Sequence, residues 1–164
     1  MTDTSAENMT VIALDPGYDR LGWAIGQLNN RQLQISSFGI IQTQKSEDIF
    51  DRYQQLDTEL TQLLLLHHPH QAAIETLFFS NNQTTAMRVS EVRGLLISTL
   101  LRHQVKCFEY NPSHVKLTVT GYGRADKKAV EKMVRLQLKL PDNKLVDDTL
   151  DALAILLTHS LRSY

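Results

Sequence analysis

Apolar side chains along the first quarter of the chain fall in short runs, and beyond it they recur mostly at intervals of three and four. Thr10 to Leu14, Leu21 to Leu28 and Gln32 to Thr43 read as strands, separated by Asp-Pro-Gly and by an Asn29-Asn30 turn, and their order predicts an antiparallel meander. Ile49, Tyr53, Leu56, Leu60, Leu63 and Leu64 then keep helical spacing, with Ser46 as a candidate N-cap and Pro69 as a stop. Gln71 to Glu75 is a second short apolar run ending in a carboxylate. Asn81 to His103 is again helical, and Val105 to Tyr110 returns as a strand. Pro112 opens another helix that Gly121 and Gly123 break. Asp126 to Leu140 forms the next, and Val146 to Leu161 is a final helix with an apolar face.

Three antiparallel strands followed by strands alternating with helices predict an α/β domain. Its core is a five-stranded mixed sheet flanked by helices on both faces, in the order of the ribonuclease H-like architecture. The 164 residues suffice for one compact unit over residues 9–164, with Met1 to Asn8 too polar to pack and expected to be a disordered leader. That leader lacks the basic start and apolar stretch of a signal peptide, and the apolar runs elsewhere are too short to cross a bilayer, so a cytoplasmic protein is expected. The single cysteine, Cys107, excludes an internal disulfide and a cysteine-based zinc cage, and reads as a small packed side chain.

A formal net charge of -1 means that a polyanionic partner must meet a local basic face. Lys116, Arg124, Lys127, Lys128, Lys132, Arg135 and Lys139 are gathered in one stretch, whereas Glu47 to Glu75 is mostly acidic or neutral. Such a run is equally the solvated face of a helix.

The carboxylates discriminate better. Asp15 ends the first strand, Glu75 ends the "AAIE" strand, and Asp148 and Asp151 lie three residues apart in "VDDTLDALAILL", on one side of the last helix. Buried carboxylates are rare unless they are paired or hold a cation, and converging acids suit Mg²⁺ or Mn²⁺. Two such ions about 3.5 to 4 Å apart would fit in-line attack on a phosphodiester. Singly, each has a plainer reading. Asp15 before Pro16-Gly17 could start a turn, Glu75 could face solvent, and Asp147 or Asp148 could cap a helix or complement its dipole. Asp151, one turn inside an apolar face, is hardest to explain that way.

Four blocks, "IALDPGYDRLGWAI", "AAIETLFFSNNQTTAMRVSEVRG", "FEYNPSHVKLTVTGYGRADKKAVEKMV" and "VDDTLDALAILLTH", resemble in order and spacing the RuvC family of Holliday-junction resolvases. The resemblance covers nearly everything after Asn8. It implies metal-binding, catalytic acids at Asp15, Glu75, Asp148 and Asp151, and basic residues near the scissile phosphate at Lys116 and Lys127, with Lys128 and Arg124 as further DNA contacts. It also implies base stacking by Phe78 in "TLFFSNNQTT". The implied reaction is hydrolysis of junction DNA by a metal-activated water, leaving 5′-phosphate and 3′-hydroxyl ends, with two Mg²⁺ ions that Mn²⁺ can replace.

A homodimer acting on four-way junction DNA, and cooperation with the RuvA and RuvB branch-migration proteins, come from the same resemblance. Met87, Val92, Leu95, Leu96 and Leu100 form a stripe that could be the dimer interface or ordinary core. Rival readings are another ribonuclease H-like nuclease, such as the YqgF group, or a junction-binding module without turnover. Tyr18 to Arg20 have no role in any of these readings.

Overall fold

The computed structural model describes residues 8–30, 32–77 and 83–161. Strands β1 (Met9–Asp15), β2 (Arg20–Asn29) and β3 (Gln32–Gln42) form the antiparallel meander. Strands β4 (Gln71–Glu75) and β5 (Lys106–Tyr110) extend the sheet in parallel from the other edge of β1. The order is β3-β2-β1-β4-β5, which puts β1 at the centre of a mixed five-stranded sheet, as the hydrophobic pattern predicts.

Helices cover both faces. Helices α1 (Ile49–His67) and α2 (Gln83–Arg102) lie on one, while α3 (Pro112–Thr120), α4 (Lys127–Leu138) and α5 (Asp147–Ser160) lie on the other. Side chains alternate between faces along a strand. Ile12, Leu14, Ala72 and Ile74 therefore pack with Leu56 and Leu60 of α1 and Leu96 and Leu100 of α2. Val11, Ala13 and Ala73 pack with Leu153 and its neighbours on α5. The same parity carries Asp15 and Glu75, the last residues of β1 and β4, to the α5 side.

Helix α5 is buried all round from Ala152 to Ser160, as a helix embedded in a core must be. It lies close to β2 because that strand offers glycine beneath it. Gly22 is the register partner of Asp15, and a Cβ at Gly22 would stand 2.0 Å from the Asp148 carbonyl oxygen. The absence of one side chain lets the start of α5 reach the end of β1.

Several boundaries differ from the sequence reading. Asp48, and not Ser46, caps α1, its side chain accepting from the Phe50 N–H at 2.8 Å, because the helix begins later than Ser46 requires. Val92, Leu96 and Leu100 are fully buried against the sheet, so they belong to the core and not to an interface stripe, whereas Met87 is 66% exposed. Cys107 is half-buried beside the α1 and α2 core, as a packed thiol. Gly121 closes α3 at φ 79°, and Asp126 caps α4. The expected disorder of the leader and the helix start at Asn81 fall on residues 1–7 and 78–82, outside the described residues.

Gly22→Ala is expected to destabilise the fold by about 1–3 kcal/mol, the usual cost of inserting a methyl where backbone must move. A lowered urea midpoint would register that shift. An unchanged midpoint would mean that α5 does not sit on Gly22.

Candidate metal centre

Leu14 pairs with Ile74 across the parallel β1–β4 ladder, so the next residues, Asp15 and Glu75, end their strands side by side. The first turn of α5 brings Asp148 over them, and Asp151 follows one turn later on the same side. Val146 occupies the N-cap of α5 without a side-chain cap hydrogen bond, so neither Asp147 nor Asp148 is a capping residue. Asp147 is 73% exposed and Asp148 22% exposed, which separates two carboxylates that adjoin in sequence.

Asp15, Glu75 and Asp151 are all raised above their ordinary carboxyl range. Loss of water, followed by the charges of Asp151, Glu75 and Asp148, pushes the Asp15 carboxyl well above the usual range, with Lys127 working the other way. Burial and then Asp151 lift Glu75 to about 7, while Lys116 and Lys127 pull it down. Asp151 is also raised, burial outweighing the opposing contact with Lys127. Lys127 Nζ stands 3.3 Å from Asp151 Oδ2 and 3.8 Å from Asp147 Oδ2. Burial works against the Lys127 ammonium, but Asp151 leads a group of acids that raises it above its ordinary value.

Lys127 and Lys116 thus both act on the acid cluster, from the start of α4 and from α3. Arg124 and Lys128 are exposed beside them. Phe78 lies outside the described residues.

Hard carboxylate oxygens, in excess of the cations that face them, are a donor set suited to Mg²⁺ or Mn²⁺. Asp148 Oδ2 adds a second mark of fit, being buried without a hydrogen-bond partner. Arg20 Nε stands 3.0 Å away as an ion pair, outside hydrogen-bond geometry. Among the described residues, no three His, Cys, Asp or Glu side chains are grouped to hold one ion as they stand. The backbone nevertheless gathers them at one end of the sheet: Asp15 and Glu75 end adjacent strands, and the Asp148 carbonyl lies over Gly22, the register partner of Asp15. The backbone assembles the donors, while Arg20 and Lys127 engage two of them at the rim.

Sequence reasoning missed the residues that hold these walls. Arg93 of α2 donates from Nε to the Glu75 carbonyl oxygen at 3.1 Å and pairs with Glu109, fastening the end of β4. Beneath the site, Tyr110 Oη and His159 Nδ1 are 2.8 Å apart, and His159 Nε2 and Gln71 Oε1 are also 2.8 Å apart. Arg52 is 6% exposed and binds the Tyr18 carbonyl oxygen, Thr43 Oγ1 and Asp19, so that the loop after β1 is tied to α1. A charged residue in a helical apolar stripe was the available signal for Arg52. Nothing local distinguished Arg20 from any loop arginine.

The family model described as "Crossover junction endodeoxyribonuclease RuvC" matches residues 11–159. A protein of that name from Caldicellulosiruptor saccharolyticus is 39% identical over 156 residues, covering 94% of each chain. Another, from Petrotoga mobilis, is 34% identical over 151 residues, covering 92% of this chain and 93% of its own. Among solved structures, Thermus thermophilus RuvC in complex with a Holliday junction substrate superposes with a TM-score of 0.85 at 27% identity, with 93% of each chain covered. The yeast mitochondrial Holliday junction resolvase shares the fold, with a TM-score of 0.66 at 14% identity over 96% of this chain and 82% of its own.

The raised carboxyls set a pH dependence of stability. A carboxyl raised on folding contributes stability that is complete below its unfolded value and is lost as pH rises through its folded value. For Glu75 the loss runs from 4.5 to about 7. Thermal melts in chelator are expected to show a higher midpoint at pH 5 than at pH 8, with Mg²⁺ raising the pH 8 midpoint by mass action. Glu75→Gln should reduce the difference, with Asp15 and Asp151 supplying the remainder. A midpoint that rises from pH 5 to pH 8 in chelator would contradict the clustered acids.

Proposed function

Because the chain belongs to the RuvC family of crossover junction endodeoxyribonucleases, we propose that it resolves four-way DNA junctions by metal-dependent hydrolysis of phosphodiesters, in recombination and repair. The observation that carries this reading is the convergence of Asp15, Glu75, Asp148 and Asp151 at one end of the sheet, with Lys116 and Lys127 acting on them.

These four carboxylates would hold Mg²⁺, or Mn²⁺ in its place, in a two-ion arrangement. Bound there, such ions supply an activated water and shield the phosphate oxygens for in-line displacement. The chain's own part is positioning and charge. Asp15 and Glu75 are fixed by the strand ends, so the donors they present are ordered before substrate arrives. Lys127, 69% exposed at the rim, faces charge that develops on the phosphate in the transition state. Lys116, further down α3, holds the DNA backbone. Arg124 and Lys128 extend that contact, and Phe78 is assigned to stacking on an unpaired base. The products are a 5′-phosphate and a 3′-hydroxyl.

Resolution takes two opposed cuts and each chain carries one acid cluster, so a two-fold homodimer matches the symmetry of the junction. RuvA and RuvB are the proposed partners, and the cytoplasm the proposed site of action. Among the described residues no helix is long and apolar enough to cross a membrane.

Cleavage read at nucleotide resolution on four-way, three-way and linear substrates tests the assignment. The four-way junction is expected to be cut far faster with Mg²⁺, at paired positions, and equal cutting of linear duplex would overturn it. Asp15→Asn is expected to lower cleavage by roughly a thousandfold, as removal of several kcal/mol of metal assistance requires, while junction binding persists. Wild-type protein that binds junctions without metal-dependent cutting would indicate a binding module.

A further inference from the structure

Arg20 is a charged residue in contact with the acid cluster that the proposed mechanism leaves unused. It opens β2 on the same side as Gly22 and Asp148, and its Nε stands 3.0 Å from Asp148 Oδ2. Its side chain remains 48% exposed, and among the described residues its terminal guanidinium nitrogens make no hydrogen bond. Arg20 also lines a cleft of about 600 Å³, with Asp19, Gln42, Thr43, Gln44 and Lys45.

That cleft is built, and its charge is biased. Asp19 is its acid, and it is already held by Arg52 and by Lys45, whose Nζ is 3.2 Å from Asp19 Oδ2. Burial works against the Asp19 carboxylate, yet these two cations keep it below its ordinary range. The loop that delivers Arg20 is fixed at both ends. Thr43 donates from Oγ1 to the Tyr18 carbonyl oxygen at 2.6 Å and from N–H to the Asp19 carbonyl oxygen at 3.1 Å. Gly17 allows the tight turn, since a Cβ there would meet the Arg20 carbonyl oxygen at 2.3 Å. Arg20 thus leaves a rigid loop with Nε on a candidate metal ligand and with its exposed side chain lining a cleft that also carries Lys45.

We propose that Arg20 is a positioning residue that couples the acid cluster to a second DNA-backbone site. Its Nε holds Asp148 in an ion pair, while its terminal nitrogens, with Lys45, take a backbone phosphate in the adjoining cleft. A guanidinium suits this double duty because its five N–H donors lie in one rigid plane. The cleft lies on the β2–β3 side of the acids, so a strand seated there leaves the cluster away from the basic helices α3 and α4. The inference rests on the nuclease reading above, and it adds a contact that the basic run of α3 and α4 does not supply.

The salt dependence of DNA binding in chelator, on four-way and linear substrates, tests it without turnover. Each phosphate contact contributes close to one to the slope of log K against log salt. Arg20→Gln is expected to weaken binding roughly tenfold and to lower the slope by about one. Lys45→Gln should lower the slope similarly. Arg20→Lys should restore the slope but not the fork, so that in Mg²⁺ its KM stays near wild type while kcat falls about tenfold. Wild-type slope and affinity in Arg20→Gln, with junction preference intact, would overturn the Arg20 inference alone. A loss of binding that Arg20→Lys does not rescue would overturn it too, since it marks a merely structural role. Wild-type protein without preference for junctions would instead overturn the nuclease reading.

Discussion

Four carboxylates sit together at one end of the sheet although their charges repel, and what holds them there is the apolar seat of α5. The helix is buried all round and lies across β1 and β2, whose small residues Ala13, Ala24 and Gly22 let it approach. Burial of its Leu and Ile side chains, each worth about 1.5–3 kcal/mol, opposes the cost of crowding like charges. Packing is therefore exchanged for a preformed acidic site, and the raised carboxyls of Asp15 and Glu75 are the measure of that exchange.

Much of this was legible in the sequence because it depends on local periodicity. The apolar run before Asp15 marked a strand with a carboxylate at its end, while the side to which Asp15 points came only with the structure, which parts Val11 and Ala13 from Ile12 and Leu14. Asp151 stood out as a charge on an apolar helical face. What escaped the reading depends on partners far away in the chain. Arg52 reaches back to Asp19 and Tyr18, Arg93 to the Glu75 carbonyl, and His159 to Gln71. Each looks ordinary until the fold supplies its partner. Tyr18 to Arg20 were unexplained for that reason, and they become a fixed loop once α1 contributes Arg52. The split of the α2 stripe into core residues and an exposed Met87 likewise needed the sheet beneath it.

The near-zero net charge conceals a division of labour. Four of the 18 acids form a partly buried cluster, while Lys116, Lys127, Lys128 and Arg124 lie around or beyond its rim. A local basic surface of this kind concentrates a polyanion beside the acids without making the whole protein sticky toward nucleic acid. It also places a cation near each acid whose proton affinity is raised, which offsets part of the crowded negative charge.

The polar tie of Tyr110, His159 and Gln71 has a consequence for how β4 can be built at all. The strand is only five residues long, and a slip of one residue in a parallel ladder sends every side chain to the opposite face. Ala72 and Ala73 are alike, so packing alone discriminates weakly between the native ladder and its shifted competitor. In the shifted pairing Glu75 would point at α1 and α2, and Gln71 would turn away from His159, costing the contact at its Nε2. A hydrogen bond at one end of the strand thereby selects the alignment that makes the carboxylate at the other end usable.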